Sequence, residues 1–281
     1  MTDSRVVVLG AGGCVGREVV RALTEIGVRV VAVRRPGSGS IPAAEMLWMD
    51  LREDSAAERI AGVGPRAVIS AAPIFHVAST LRRVAARSDP AIVACSSMSA
   101  TSKVDSPSRA DRAVAHALLS SERSLRESAA RVTIVRPTMI YGHPATQNVA
   151  RLQRLARTLG WLAAPRCAIG LRQPVHHVDV AQALVGALRR EAPSRTYELG
   201  GGERLSVVDL ISRVAAVEGA RLVGLPSPKA SMLGRSAARC GLDRLGGMLA
   251  RAGQDQVADN SAATRDLGVD PRPFTPCRNE A

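Results

Sequence analysis

Short apolar runs alternate with longer segments of helical periodicity through most of the chain. The run from Val6 to Leu9 contains no polar position, which is typical of a parallel strand buried on both faces of a sheet. Apolar residues then recur at helical spacing, at Val15, Val19, Ala22, Leu23 and Ile26. A second β-branched run from Val28 to Val33 follows Gly27, so strand, helix and strand form a βαβ unit.

The same alternation predicts the other elements, and it weakens from about residue 222 onward. Strands are predicted at 5–9, 28–33, 46–49, 66–71, 91–95, 131–135 and 173–176. Helices are predicted near 14–26, 55–61, 76–87, 109–129, 147–159, 179–190 and 206–218. Strands that alternate with helices in this way predict an α/β fold with a doubly wound parallel sheet.

Glycines separate the first strand from the first helix. In such a loop the first glycine permits a sharp turn, the second admits a phosphate close to the backbone, and the third lets helix and strand pack closely. Free N–H groups and the helix dipole favour an anion at the start of the helix. We therefore predict a Rossmann-type sheet in which a dinucleotide pyrophosphate is bound by Gly10, Gly12, Gly13, Cys14, Val15 and Gly16.

The spacing Gly10-x-x-Gly13-x-x-Gly16 resembles that of the extended and atypical short-chain dehydrogenase/reductases, the superfamily of NAD-dependent epimerases and dehydratases. Further segments that resemble this superfamily are Met49-Asp50-Leu51, Ile69–Pro73, Val93–Ser99, Arg136–Gly142 and Gln173–Ala181. The resemblance covers most of the chain. It implies an NAD(P)-binding Rossmann domain over residues 1–198 and a small C-terminal substrate-binding lobe over residues 199–281.

The resemblance also implies further cofactor contacts. Asp50 would meet the adenine amine beside Leu51, and the backbone of Pro137 would lie near the nicotinamide. Small residues after the fourth strand would line the cofactor, at Ala71, Ala72 and Pro73. The alternatives are a helix cap at Asp50 and plain tight packing at the small residues.

Two arginines follow the second strand, where the chain meets the adenosine ribose. An acidic residue there would bind the 2′-hydroxyl of NAD, whereas an arginine fits the 2′-phosphate of NADP. Arg34 and Arg35 therefore predict that NADP(H) is favoured over NAD(H). The alternative is that both are solvated loop arginines.

Catalytic members of this superfamily carry Tyr-x-x-x-Lys on the helix after the fifth strand, where the tyrosine transfers a proton and the lysine lowers its pKa. This chain has two tyrosines, Tyr141 and Tyr197, and neither has a lysine four residues later. The expected positions, near Val114 and Leu118, are apolar.

Three residues are candidates to replace the missing pair. Ser97 matches the second serine of the Ser-Ser pair that binds the substrate oxygen in relatives, with Ser99 as the fallback. His116 lies on the predicted helix and can titrate near neutral pH. Tyr141 is the third candidate. The alternatives are a serine turn at a strand end and a packed or solvated helix histidine.

Composition limits the partners. The formal charge is +13, but the arginines are dispersed and aromatic residues make up only 2%, so we predict no nucleic-acid partner. The start of the chain lacks a signal-peptide pattern and no apolar run reaches the length of a membrane span, so we predict a cytoplasmic protein. Five dispersed cysteines, at 14, 95, 167, 240 and 277, are predicted to be thiols and not metal ligands.

The sequence thus predicts an NADP(H)-dependent oxidoreductase that acts on a small carbonyl or hydroxyl compound, as a monomer or homodimer without a metal. One alternative is a non-catalytic NAD(P)-binding regulatory or accessory protein, which the missing Tyr/Lys pair favours. The other is a sugar-nucleotide epimerase or dehydratase, which the family resemblance favours.

Overall fold

The computed structural model describes residues 5–146, 148–165, 168–225 and 252–278. Residues 226–251 of the predicted C-terminal lobe, and also Cys167 and Cys240, lie outside these ranges. The strands are β1 (Arg5–Leu9), β2 (Arg29–Arg34), β3 (Glu45–Trp48), β4 (Ala67–Ser70), β5 (Ala91–Cys95), β6 (Val132–Pro137), β7 (Ile140–Tyr141), β8 (Trp161–Pro165), β9 (Leu171–Arg172), β10 (Val175–His176), β11 (Thr196–Leu199), β12 (Leu205–Ser206) and β13 (Arg221–Leu225).

Eight α-helices occur in the described ranges, followed near the C-terminus by a π-helical turn at Ala263–Leu267. They are α1 (Cys14–Glu25), α2 (Ala56–Gly62), α3 (Ile74–Ser88), α4 (Ser99–Ser102), α5 (Arg109–Arg126), α6 (Asn148–Leu159), α7 (His177–Arg189) and α8 (Val207–Glu218). Within the same ranges, none of the helices combines the length and the apolar character needed to cross a bilayer.

Seven parallel strands form the central sheet, in the order β3-β2-β1-β4-β5-β6-β11. This order reverses direction between β1 and β4, which is the doubly wound arrangement predicted from the sequence. The Rossmann-type fold is therefore confirmed. Ligands of such sheets bind at the carboxyl ends of the strands where the order reverses, so the segments after β1 and β4 are placed to form a site.

Alternate residues of β1 serve two separate cores. Val6 and Val8 pack in the layer formed by α1 and α7, whereas Val7 and Leu9 pack in the layer formed by α2, α3 and α5. All four side chains are fully buried. A strand covered on both faces needs an apolar residue at every position, which explains the continuous run in the sequence.

A third cluster lies outside these two layers. It joins α6, β8 and α8 with Tyr141 and Phe274. β8 pairs in parallel with β13, and β7 pairs in parallel with β10. This cluster draws residues from both sides of the predicted division at 198/199, and that division stays a prediction.

Candidate functional site

The loop between β1 and α1 is compact because two of its glycines touch backbone. Gly10 has a positive φ of 72°, and a Cβ atom there would lie 2.7 Å from the backbone N of Ala72. A Cβ atom on Gly16 would lie 2.1 Å from the carbonyl oxygen of Gly10. Both positions thus require glycine, and they hold the start of α1 against the segment that follows β4.

The N-terminus of α1 is prepared for an anion. Its N-cap residue, Gly13, provides no side-chain cap, and the first turn contains no acidic residue. By contrast, Ser108 caps α5 and Ser206 caps α8 through hydrogen bonds from their side chains. The first-turn N–H groups and the positive end of the α1 dipole therefore point to the carboxyl edge of the sheet without a built-in counterion.

A cavity of about 660 Å³, here called the edge cavity, opens at this point. Nine of the predicted cofactor residues line it, namely Gly10, Gly12, Gly13, Arg34, Arg35, Asp50, Leu51, Ala72 and Pro73. Five other predicted residues do not line it. Val15 and Gly16 are buried in α1, Cys14 and Ala71 are half-buried, and Pro137 ends β6.

Six further residues line the edge cavity and were not predicted. They are Val33, Ser38, Met49, Arg52, His76 and Val77. Arg52 lies two positions after Asp50. His76 lies in the first turn of α3, the helix that begins directly after Pro73. Their closeness in sequence to predicted residues is the signal that identifies them in retrospect.

Positive charge dominates the edge cavity. Arg34, Arg35 and Arg52 line it, whereas Asp50 is the one acidic residue of the lining. The guanidinium of Arg34 lies across Gly12, with Nε 3.1 Å from the place of a Cβ atom, and donates to the carbonyl of Gly39. The cavity thus presents a net positive lining to a ligand.

These residues fit a dinucleotide. The glycine loop packs too closely against backbone for Cβ atoms at Gly10 and Gly16, the adjoining helix end is uncapped, and arginines line the cavity at the position predicted for an adenosine ribose. Among the described residues, no three His, Cys, Asp or Glu side chains converge as a metal site would require.

Ser97 lies at the carboxyl end of the sheet beside Pro137. The N–H of Met98 donates to the carbonyl of Pro137 at 3.0 Å, which ties the segment after β5 to the end of β6. The Ser97 hydroxyl accepts a hydrogen bond from the N–H of Ser99 at 3.1 Å and is half-buried. The structure thus brings together two residues predicted to lie near the nicotinamide and the substrate.

The helix expected to carry the proton-transfer pair is α5. Its Val114 is exposed and its Leu118 is buried in the apolar core beneath the sheet. His116 is exposed on the same helix and does not line the edge cavity. A catalytic role for His116 stays a prediction.

Tyr141 is buried, and its hydroxyl contacts the C-terminal tail. The hydroxyl donates to the carbonyl of Pro273 at 3.1 Å and accepts from the N–H of Thr275 at 3.2 Å. Its ring packs edge-on against Phe274, with 4.8 Å between ring centroids. Burial also raises the pKa of the Tyr141 phenol. This geometry attaches the tail to the segment after β6.

Replacing Tyr141 with phenylalanine is expected to lower the free energy of unfolding by about 1–2 kcal/mol, because two hydrogen bonds to the tail are lost. Urea denaturation measures this change. Dinucleotide affinity should be unaltered, since Tyr141 does not line the edge cavity. Loss of turnover without loss of stability would instead assign the hydroxyl to proton transfer.

Three histidines surround Gly142. The ring centroids of His176 and His177 are 4.5 Å apart, and those of His143 and His177 are 5.8 Å apart. Gly142 has a φ of 96°, and a Cβ atom there would lie 2.2 Å from Nε2 of His176. His176 also caps α7, since its Nδ1 accepts from the N–H of Val178. This cap explains why α7 begins at His177, two residues before the predicted start.

Burial lowers the pKa of His176 to about 4, and it lowers the pKa of His177 as well. Both imidazoles are therefore neutral in the folded protein at neutral pH. Because an unfolded histidine titrates near 6.5, the unfolded state binds protons first as the pH falls. The contribution of these two histidines to the free energy of unfolding is therefore fully present above about pH 6.5 and is lost as the pH falls toward 4.

We expect His176→Asn to reduce this acid destabilisation, because asparagine can cap α7 and does not titrate. Melting temperatures measured from pH 7 to pH 4 test the change. His116→Asn is the matched control, since His116 is exposed on α5. If the melting temperature falls equally with pH in the wild type and in His176→Asn, protonation of His176 does not cause the acid destabilisation.

A buried carboxylate lies beneath the segment that carries Ser97. Glu122 on α5 is fully buried and accepts hydrogen bonds from Nε and Nη2 of Arg136, at 2.9 and 2.5 Å. It also accepts from the Ser96 hydroxyl at 2.5 Å. The ion pair connects the ends of β5 and β6 to α5, and nothing in the sequence pattern distinguished Glu122 from a solvated helix residue.

The described cysteines are free thiols. Burial raises the pKa of Cys95 to about 12, so this side chain behaves as part of the core. Burial also raises the pKa of Cys14, against the effect of the first-turn N–H groups of α1. Both thiols are therefore protonated at neutral pH.

Comparison with known proteins agrees with this geometry. Residues 6–92 match the model of the NAD dependent epimerase/dehydratase family. The match includes β1, the glycine loop and the segments that form the edge cavity, and it confirms the predicted family resemblance. Among curated proteins, none matches the chain significantly.

Solved structures resemble the whole fold. A UDP-glucose 4-epimerase from Thermotoga maritima has a TM-score of 0.69 at 19% identity, covering 95% of this chain and 93% of the epimerase. MoeE5, solved with UDP-glucose and NAD, has a TM-score of 0.68 at 20% identity, covering 96% and 94%. TunA, an NAD-dependent NDP-hexosamine 5,6-dehydratase, has a TM-score of 0.68 at 20% identity, covering 97% and 93%. At these identities the likeness concerns the fold.

Proposed function

We propose that this protein, whose residues 6–92 match the model of the NAD dependent epimerase/dehydratase family, binds a nicotinamide dinucleotide at the carboxyl edge of its sheet. The observation that carries the proposal is the edge cavity, where the glycine loop, an uncapped helix end and the segment after β4 meet. The pyrophosphate would bind the first turn of α1. The adenosine would lie toward Arg34 and Asp50.

We further propose that NADP(H) is favoured over NAD(H). Arg34 and Arg35 line the cavity at the end of β2, where the ribose of the adenosine would lie. A 2′-phosphate would gain charge-assisted hydrogen bonds there, whereas a ribose without this phosphate would leave the guanidinium groups facing water.

Fluorescence titration of the purified protein with NADPH and NADH tests both steps. NADPH is expected to bind at least about tenfold more tightly than NADH, which corresponds to about 1.4 kcal/mol of binding free energy. Equal affinities would overturn the NADP preference and leave dinucleotide binding intact. Absence of binding for both would overturn the proposed function.

The reaction we propose is that of a sugar-nucleotide epimerase or dehydratase. The family match and the names of the structural neighbours support this alternative better than the main prediction of an oxidoreductase for small carbonyl compounds. A bound nicotinamide would supply reversible hydride transfer. Ser97, beside Pro137 at the ends of β5 and β6, would bind the substrate oxygen that gains or loses a proton.

Incubation with a panel of nucleoside diphosphate sugars, followed by NMR, tests this reaction. With NADP⁺ present to accept the hydride from the sugar, epimerised or dehydrated product is expected without net formation of NADPH, because the reduced nicotinamide returns the hydride within each turnover. A parallel panel of small carbonyls, followed at the absorbance of NADPH, tests the oxidoreductase. Ser97→Ala should strongly reduce turnover of whichever substrate reacts, and intact turnover would remove Ser97 from the site.

A second candidate is a dinucleotide-binding protein without catalysis. The observation that favours it is the apolar pair Val114 and Leu118 on α5, near the positions where the family resemblance implies tyrosine and lysine. Tight NADPH binding with no turnover in either panel would support this candidate. Turnover in either panel would exclude it.

A further inference from the structure

The edge cavity holds one arginine that the family resemblance does not explain. Arg52 follows β3 and lines the same cavity as Arg34, the last residue of β2, and Arg35, which comes directly after it. Its side chain is 76% exposed, yet it is held in one orientation by the neighbouring Asp50, whose side chain is 28% exposed. Exposed ion pairs contribute little to stability, so the pairing needs another explanation.

Strand pairing brings the segments that carry these arginines to the same edge of the sheet. Arg34 is opposite Trp48 in the parallel register of β2 and β3, and the N–H of Met49 donates to the carbonyl of Arg34 at 2.8 Å. The chain after Met49 therefore leaves the sheet beside the chain after Arg34. Arg52 lines the cavity from the segment after β3, and Arg34 and Arg35 line it from the end of the adjacent strand, β2.

Asp50 holds Arg52 through a fork of hydrogen bonds. Nε of Arg52 donates to Oδ1 at 3.1 Å and Nη2 donates to Oδ2 at 2.6 Å. The backbone N–H of Arg52 also donates to Oδ1 at 3.0 Å. These bonds lower the pKa of Asp50, which is therefore ionised throughout the neutral range.

The fork occupies only one edge of the guanidinium. Of its five N–H donors, one on Nε and one on Nη2 are directed to Asp50. The opposite edge, formed by Nη1 and the second N–H of Nη2, has the same planar spacing of donors and can bind a second oxyanion in a bidentate way. In the part of the chain that the structure describes, no hydrogen bond or ion pair of Arg52 uses this edge.

We infer that Arg52 is a specificity-determining residue for a phosphomonoester on the adenosine ribose, and that Asp50 is the positioning residue that orients it. This inference rests on the proposed dinucleotide function. It assigns to Asp50 a role different from the one implied by the family resemblance, in which the carboxylate meets the adenine amine. Both carboxylate oxygens already accept hydrogen bonds from Arg52.

The two roles of Asp50 predict different binding patterns. If Asp50 orients Arg52, its removal weakens only ligands that carry the 2′-phosphate. If Asp50 binds adenine, its removal weakens all adenosine ligands equally. Four ligands separate these outcomes: NADPH, NADH, adenosine 2′,5′-bisphosphate and adenosine 5′-monophosphate. The two fragments lack nicotinamide and therefore test the adenosine end alone.

Dissociation constants for these ligands would be measured by calorimetry on the full chain and on three variants. Arg52→Gln is expected to weaken NADPH and the bisphosphate about tenfold, with less than about twofold change for NADH and the monophosphate. Asp50→Asn should give the same pattern with a smaller change, about three- to fivefold. Arg123→Gln removes the same charge from an exposed position on α5 and should leave all four constants unaltered.

Each other result has a distinct meaning. A wild type that does not prefer NADPH overturns the proposed NADP preference and with it this inference. A wild type that prefers NADPH, with Arg52→Gln unchanged, overturns the inference alone. Equal weakening of all four ligands in Asp50→Asn would restore the adenine role to Asp50 and refute its positioning role.

Discussion

Replacing Gly16 with alanine is expected to destabilise the protein by about 3 kcal/mol or more and to abolish most dinucleotide binding. The added Cβ atom would lie 2.1 Å from the carbonyl oxygen of Gly10 and 2.8 Å from Cα of Ala11. Both contacts are with backbone, so no side-chain rotation relieves them. The start of α1 must then move away from β1, and the first-turn N–H groups move with it.

Urea denaturation and NADPH titration measure the two effects separately. Gly62→Ala is the matched control, because Gly62 lies at the end of α2 with nothing within 4 Å of an added Cβ atom. Alanine at that position should leave stability equal or slightly higher, since it restricts the unfolded chain. Normal NADPH affinity in Gly16→Ala would show that the close packing of α1 does not organise the dinucleotide site.

Replacing Glu122 with glutamine is expected to cost about 3 kcal/mol of unfolding free energy. The substitution preserves shape but removes the charge that compensates Arg136, whose side chain is 13% exposed. Fully buried, Glu122 also accepts from Ser96, next to the candidate residue Ser97. We therefore expect turnover to fall together with stability, because the ends of β5 and β6 lose their common partner.

Chemical denaturation of Glu122→Gln, Arg136→Gln and the double variant measures the pairing energy. If the ion pair carries the effect, the double variant should be less destabilised than the sum of the single ones. Glu127→Gln tests the same substitution at an exposed position just after α5. Additive single effects would mean that the loss arises from packing and not from the pairing of Glu122 with Arg136.

Much of the fold could be predicted from the chain because its signals are local. The apolar run of β1 and the helical spacing of α1 identify their elements without reference to distant residues, and the glycines between them predict a phosphate-binding loop. The strand order and the position of the edge cavity follow from the rules of doubly wound sheets. Nine predicted residues consequently line one cavity.

The candidate site was harder to predict where its contacts join distant segments. Glu122 and Arg136 lie on α5 and β6, and their pairing depends on how that helix packs against that strand. The Tyr141 hydroxyl contacts the tail, more than a hundred residues later in the chain. No periodicity or spacing encodes such contacts.

Local pattern was thus enough to predict a parallel α/β sheet with a glycine loop between β1 and α1, because neighbouring residues alone specify strands, helices and glycine turns. Packing between distant segments established what surrounds that loop. The register of β2 and β3 brings the segments of Arg34 and Arg52 to one cavity, and the approach of β7 to β10 gathers three histidines at Gly142. The physical reason is that the burial of a side chain and the charges around it depend on which residues are in contact in the folded protein. The local sequence between two such residues does not specify that contact.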